Sequence, residues 1–325
     1  MTSIHTQPLR INLSPNSHGE ETTLTIHCLS ELTPVDMLDM SYGRADPTGC
    51  CVWLGAFLFI EMFAREFSDT DQNEMQKYWK VIREALFPPH CQVIELGSGT
   101  GMSSLSLILM SERSNEEDTD DFTDEKSIYK GPSLLVQTDN NDDALELCRI
   151  NRDANRDKIN RNCDVHVEKL EWGKDTTTML DRASLPTTYH TVLATDVLYD
   201  LSSLVPLLTS AFELLKEDGY FILSHVPRAY IDEDENDSET TLETIIIKEA
   251  FKVGLDLAAY PCEGKDIGIE IIQSIKEQNN TMILRPSLLP HIFGDNTLSI
   301  SEKHSWKRMI DAGGAVFVFQ KKRSS

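Results

Sequence analysis

No run in this chain approaches the ~18 consecutive apolar residues that a membrane-crossing helix needs. Its opening, Met1-Thr2-Ser3-Ile4-His5-Thr6-Gln7-Pro8, lacks the basic-then-apolar layout of a secretory signal. No membrane partner is expected, and an intracellular location follows, cytoplasmic or nuclear, with no basic import cluster to separate the two. The seven cysteines contain no C-x-x-C pair, and an odd number with Cys50 and Cys51 adjacent suits a reducing compartment. Zinc spacing is missing, so no metal site is expected. Basic residues are scarce, 30 against 53 acidic ones, and the formal charge of −23 repels nucleic-acid backbones. A basic protein is the easier partner to accommodate; acidity that only maintains solubility is the plain alternative. No internal repeat is apparent. What remains is 325 residues, 40% of them apolar, enough for one large or two small domains with a substantial core.

The most informative stretch is Val93-Ile94-Glu95-Leu96-Gly97-Ser98-Gly99-Thr100-Gly101, followed by a helix-like apolar run from Met102 to Leu109. It reads as strand, glycine-rich turn, helix. Glycine tolerates positive φ and lets a ligand approach the backbone, and the helix start offers free N–H groups. A dinucleotide fingerprint wants its third glycine at the sixth position, where this chain has Met102. Glycines at the first, third and fifth positions, with an acid two residues before the first, instead resemble the first motif of S-adenosylmethionine (SAM) methyltransferases. In that resemblance Glu95 helps hold the methionine end of the cofactor, directly or through water, and the backbone of Gly97, Ser98, Gly99 and Gly101 passes beneath it.

Taken in order, Leu9–Leu13 and Thr23–Leu29 alternate like two strands of a hairpin around Asn16-Ser17-His18-Gly19. Asp46 to Ala56 leads into an apolar helix reaching Phe67, and Gln72–Phe87 reads as another, closed by Pro88-Pro89. The acidic segment from Ser111 to Glu125 cannot bury enough surface to order itself, and a disordered insertion over about 111–130 is expected. Ser133–Asp139 is a second strand ending in an acid. Removing an insertion of roughly 20 residues brings Asp139 near the ~20-residue spacing at which a carboxylate meets a ribose diol. The competing role for Asp139 or Asn140 is to cap the helix Asp142–Asn155; capping is left to Asn140 or Asn141.

Asp164–Leu170 is a third strand, on which His166 reads as structural, and it leads to Glu171-Trp172-Gly173. There Trp172 and its neighbours can supply the apolar wall and polar contact an adenine needs. Thr191–Asp196 is a fourth strand, with Tyr199 three residues beyond its terminal acid, and Asp200 caps a helix Leu201–Lys216. Tyr220–Val226 forms a fifth strand. An acidic loop, Asp232–Asp237, precedes a helix Thr241–Leu257, Met282–Leu284 is a short strand, and Gly313–Lys322 a terminal one.

The ordered set of glycine turn, Asp139, Glu171-Trp172-Gly173 and Asp196-Val197-Leu198-Tyr199, with Trp53-Leu54-Gly55-Ala56 upstream, resembles methyltransferase family 16, seven-strand SAM enzymes that mostly methylate lysine side chains of other proteins. The resemblance spans about Cys50 to Leu223. It implies an α/β, Rossmann-like, seven-stranded class I SAM methyltransferase fold: an N-terminal hairpin and helical extension over 1–89 packed on the core, then a SAM-binding domain over 90–325. It implies SAM as cofactor, with Trp53, Glu95, Gly97, Ser98, Gly99, Gly101, Asp139, Asn140, Trp172 and Thr195 around it, and Asp196 and Tyr199 at the target amine. The partner implied is a protein substrate; a monomer is the simplest state. The expectation for Asp196→Ala is loss of transfer with SAM affinity held within a few-fold. Rival readings are a small-molecule or RNA methyltransferase, a SAM-binding protein without catalysis, and an NAD enzyme. Charge and the absence of Asn-Pro-Pro-Tyr disfavour RNA, and Met102 disfavours NAD.

Overall fold

The computed structural model describes residues 6–15, 21–29, 46–64, 81–111, 131–159, 161–227, 241–259, 281–285 and 300–322. Its centre is an eight-stranded sheet. Strands β3 (Gln92–Leu96), β4 (Leu134–Asp139), β5 (Asp164–Lys169), β6 (Tyr189–Thr195) and β7 (Leu215–His225) are parallel; β10 (Ala315–Lys321) runs antiparallel to β7. The order is β5-β4-β3-β6-β7-β10-β8, where β8 is Leu255–Leu257. A two-residue strand, β9 (Ile283–Leu284), joins the same side of β10 further along and raises the expected seven strands to eight. From β3 the chain steps outward to β4 and β5, then returns to the other side of β3 as β6. At such a reversal, ligands collect beyond the carboxyl ends of the strands.

The central strands are apolar on both sides because helices cover both faces. On one face lie α1 (Leu54–Phe59, continued by a π turn over Ile60–Ala64), α3 (Met102–Ser111) and α8 (Ile300–Asp311), with Leu58, Phe59, Leu105, Ile108 and Trp306 packed against Val93, Leu193, Ile222 and Val316. On the other lie α5 (Thr176–Arg182), α6 (Leu204–Leu214) and α7 (Leu242–Val253) over Ile94, Val192, Phe221 and Phe317. α2 is residues 81–86, and α4 (Asp142–Ala154) flanks β4 and β5. Fully burying each large aliphatic or aromatic side chain is worth about 1.5–3 kcal/mol, so these two faces supply most of the drive to fold.

The N-terminal hairpin pairs β1 (Gln7–Pro15) with β2 (Glu21–Cys28). It is bound to α4 by two buried asparagines. Thr25 N–H donates to Asn155 Oδ1 at 3.0 Å and Asn155 Nδ2 donates back to Thr25 O at 2.7 Å; His27 and Asn151 exchange the same pair at 2.6 and 3.0 Å. Four helical residues rise about 6 Å, close to the ~6.6 Å spanned by two strand residues, so an i,i+4 asparagine pair matches alternate residues of a strand.

Three elements differ from the sequence expectation. The helix predicted over Leu201–Lys216 is a 3₁₀ turn (Leu201–Ser203) and α6, which stops at Leu214; Leu215 is already extended, buried, and paired with Tyr189 in the sheet. The helix predicted to run to Leu257 ends at Gly254, whose φ of 94° closes it before β8. The first apolar helix turns to π geometry at Ile60. The turn Asn16–Gly19, the helix extension to Phe67, residues 72–80, the acidic insertion beyond Ser111 and the loop Asp232–Asp237 lie outside the described residues.

Candidate active site

Beyond the carboxyl ends of β3, β4 and β6 lies a cavity of about 360 Å³, within the range of small-molecule sites. Its floor is the turn Gly97–Thr100, with Gly97 at φ 69°, Gly99 at 51° and Gly101 at 75°. These glycines make room for the protein's own walls. A Cβ on Gly97 would sit 2.8 Å from Val197 Cγ1 and 2.9 Å from Trp172, and one on Gly99 would meet Gly49 O at 2.7 Å. The backbone of residues 97–100 is therefore what faces the cavity, held down by Ser98 N–H donating to Thr138 O at 2.8 Å.

Asp139 stands at the end of β4, on the cavity wall. Its Oδ2 accepts Gly99 N–H and its Oδ1 accepts Asn141 N–H, both at 3.0 Å. Burial raises its pKa above the usual carboxylate value despite those bonds. Asn141, not Asn140, caps α4, which leaves Asn140 exposed on the cavity rim. Trp172 closes the opposite side: Leu170 N–H donates to Asp139 O, and Gly173 rests on α6 through Ser210 Oγ, so the loop between them presses the indole against Gly97 and Val197. Thr195, also on the wall, shares a hydrogen bond of 2.9 Å with Ser103 that ties the end of β6 to the start of α3.

A strap over Asp46–Trp53 forms the outer wall. Asp46 caps a 3₁₀ turn (Pro47–Cys50), Trp53 Nε1 donates to Thr48 O at 2.9 Å, and Asn141 Nδ2 donates to Asp46 O at 2.7 Å. The sequence reading took Trp53 from this strap and missed Thr48 and Gly49. The signal was there in Asp46-Pro47, a cap followed by a helix-starting proline. Cys50, within the strap, is buried, and burial pushes its thiol up to about 12.

At the far end, Asp196 and Tyr199 both line the cavity, with opposite exposures: Tyr199 is 60% exposed at the mouth, Asp196 only 5%. Asp196 has φ 56°, its N–H donates to Ser224 O, its Oδ2 accepts Gly55 N–H at 3.2 Å and its Oδ1 accepts Val226 N–H at 3.4 Å. The buried His225 ring brings Nδ1 to 3.3 Å from Oδ1.

Glu95 and Gly101 are not part of the lining. Glu95 shares strand parity with Val93, so its side chain enters the α3 face, where Oε2 accepts Ser104 O–H at 2.5 Å while Oε1 has no partner among the described residues. Burial raises its pKa to about 7, against the opposing pull of the Ser104 and Ser98 hydroxyls. Gly101 lies behind the turn, where Gln137 Nε2 donates to its carbonyl at 3.1 Å.

A carboxylate beside a peptide-backbone floor, an indole wall, and a second acid below an exposed tyrosine fit a ligand with a diol, an aromatic base and a reacting centre at its far end. No helix among the described residues is long and apolar enough to cross a membrane. No curated protein matches the chain. Among solved structures it is similar to a protein described as a sarcosine dimethylglycine methyltransferase from Galdieria sulphuraria (12% identity, 88% of this chain and 97% of that one, TM-score 0.41). It is also similar to a methyltransferase from Pyrococcus furiosus (14%, 77% and 83%, TM-score 0.38). Scores this low carry no argument about function. A family model described as lysine methyltransferase, by contrast, matches residues 35–240, more than half of the chain and all of the cavity wall. The chain belongs to that family, methyltransferase family 16, and is a SAM-dependent methyltransferase.

Proposed function

We propose that this protein transfers a methyl group from SAM to a lysine amine of a partner protein. The observation that carries the reading is one continuous cavity running from Asp139 to Asp196 and opening at an exposed Tyr199. Asp139 and Asn140 would hold the ribose hydroxyls, Trp172 and Leu170 the adenine face, and the backbone of 97–100 with Trp53 and Thr195 the remainder. When bound, SAM supplies a methyl group on a positively charged sulfur, open to direct displacement.

The chain's own residues must then position a neutral amine, and positioning is worth several kcal/mol of the barrier. A lysine titrates near ~10.4 in water. Desolvation at the mouth lowers that value while the carboxylate of Asp196 alone would raise it. Asp196 thus orients the amine, its oxygens already fixed by the Gly55 and Val226 amides, and the proton passes to water. Tyr199 walls the channel with its ring towards the approaching cation. A chain carrying −23 favours a basic substrate protein and disfavours nucleic acid.

The test is transfer of labelled methyl from SAM into a total protein extract, followed by protease or nuclease. Protease-sensitive label is expected, reduced about tenfold or more by Tyr199→Ala, with SAM binding within about twofold because the ring stands at the mouth. Label that survives protease and yields to nuclease, or no label at all, overturns the protein-substrate reading.

A further inference from the structure

We propose that Asp196 also acts with Ser224 to clamp the start of α1, and so positions the strap that walls the cofactor cavity. This rests on the reading of that cavity as the SAM site. The clamp grips one residue through both of its flanking peptide groups. Gly55 N–H donates to Asp196 Oδ2 at 3.2 Å, and Ser224 Oγ donates to Gly55 O at 2.6 Å. Gly55 N–H is one of the helix-start donors that lack an intrahelical acceptor, and the Trp53 side chain at the cap position makes no capping bond to it. Asp196 therefore caps α1 from another part of the chain. Its side chain is 2% exposed, as expected of a group committed to a structural partner.

The approach is close. A Cβ on Gly55 would lie 2.7 Å from Asp196 Cβ and 3.1 Å from its backbone nitrogen, so only glycine lets α1 start this near to β6. Asp196 itself sits in the left-handed region, which aspartate tolerates and most residues do not, held there by its N–H donating to Ser224 O at 2.7 Å. From the clamped residue the connection runs to the cofactor floor: Trp53, two residues before Gly55, bonds Thr48 O through its indole, and the turn containing Thr48 places Gly49 O against Gly99. Asn141 holds the other end of the strap at Asp46. Asp196 is in this respect a positioning residue for Trp53 and the 47–50 turn, and the expectation that Asp196→Ala leaves SAM affinity within a few-fold is replaced by one in which affinity falls.

Gly55 and Ser224 do not line the cavity, so Gly55→Ala and Ser224→Ala isolate the clamp. Two readouts are measured on folded variants, with melting curves as the check: S-adenosylhomocysteine affinity by calorimetry, and hydrogen exchange of the Trp53 indole and the 48–55 amides in protein without cofactor. Ser224→Ala is expected to weaken binding about threefold to tenfold, the scale of one lost hydrogen bond, and Gly55→Ala more than about tenfold, since it forces the helix off β6. Exchange at 48–55 should accelerate in both. Asp196→Asn, which keeps an acceptor for Gly55, should bind more tightly than Asp196→Ala. If Gly55→Ala fails to fold, Ser224→Ala and the Asp196 pair decide. Unchanged exchange at 48–55, or affinity within twofold of wild type in folded Ser224→Ala, overturns the clamp. A wild-type chain that does not bind S-adenosylhomocysteine overturns the cofactor assignment instead, while the exchange data still decide on the clamp.

Discussion

Glu95 carries an ionisable group where nothing balances its charge. One oxygen accepts from Ser104 and the other meets no partner among the described residues, with the side chain fully enclosed. Its pKa rises to about 7 in the folded chain from 4.5. The native state therefore holds the proton more tightly than the unfolded one. Stability contributed this way is complete below about pH 4.5 and is lost as pH climbs through about 7, a cost of roughly 2–3 kcal/mol between pH 5 and 8. Glu95→Gln should erase that slope: its stability relative to wild type is expected to improve by this amount from pH 5 to pH 8 in denaturant titrations, and a constant difference would refute the assignment. The acid before the glycines was legible in the sequence because nine consecutive residues carried the pattern. The direction of its side chain was legible only through strand parity: sharing a face with Val93 sends Glu95 behind the turn, towards α3.

Among the elements, the hairpin shows where local reading stops. Alternation marked both strands, and a capping residue marked the start of α4, but nothing local in Asn151 or Asn155 says that two fully buried amides will bind a strand 124 and 130 positions away. Each supplies a donor and an acceptor to one residue of β2, and Asn151 also donates to Thr100 O beside the glycine turn. Asn155→Ala should cost about 1–3 kcal/mol, because it leaves part-buried backbone groups of Thr25 without their partner. Faster hydrogen exchange at Thr25, with His27 less affected, is the signature to look for; uniform acceleration would mean global destabilisation instead. The misplaced end of α6 has a similar origin. Glu217-Asp218-Gly219 reads as a turn between helix and strand, yet the strand begins before it at Leu215, and Gly219 is the point where a Cβ would meet His190 O at 3.0 Å. Close backbone approach, a tertiary fact, selected the glycine.

Across the whole molecule, the segment expected as an extension over 1–89 shares both the cavity and the core of the SAM-binding domain over 90–325. Thr48, Gly49 and Trp53 line the cavity, while Leu58, Phe59, Met62 and Phe63 join the core cluster that contains Val93 and Leu193. A chain beginning at residue 90 is therefore expected to lose S-adenosylhomocysteine binding at concentrations that saturate the full chain, and to expose apolar surface that binds a hydrophobic dye. Wild-type affinity in that fragment, measured by calorimetry, would refute the strap's part in binding. The ordered motifs made the fold class readable over long distance because each lies at the carboxyl end of its own strand, where the topology gathers them. Within the strap Trp53 was legible but Thr48 and Gly49 were not, because the contacts of the 47–50 turn are made to backbone, and only the Asp46-Pro47 start marks it in residue type.

The placement of β10 has a consequence for biosynthesis. It lies between β7 and β8 although every other described strand precedes it in the chain. Until residues 315–321 leave the ribosome, β7 presents the open edge Tyr220–His225 with Phe221, Ile222 and Leu223 along it, a ready template for another chain. Translating the intervening stretch takes about 5–20 s at ordinary elongation rates. For that interval each nascent molecule carries this edge uncovered by β10, whatever the stability of the finished protein.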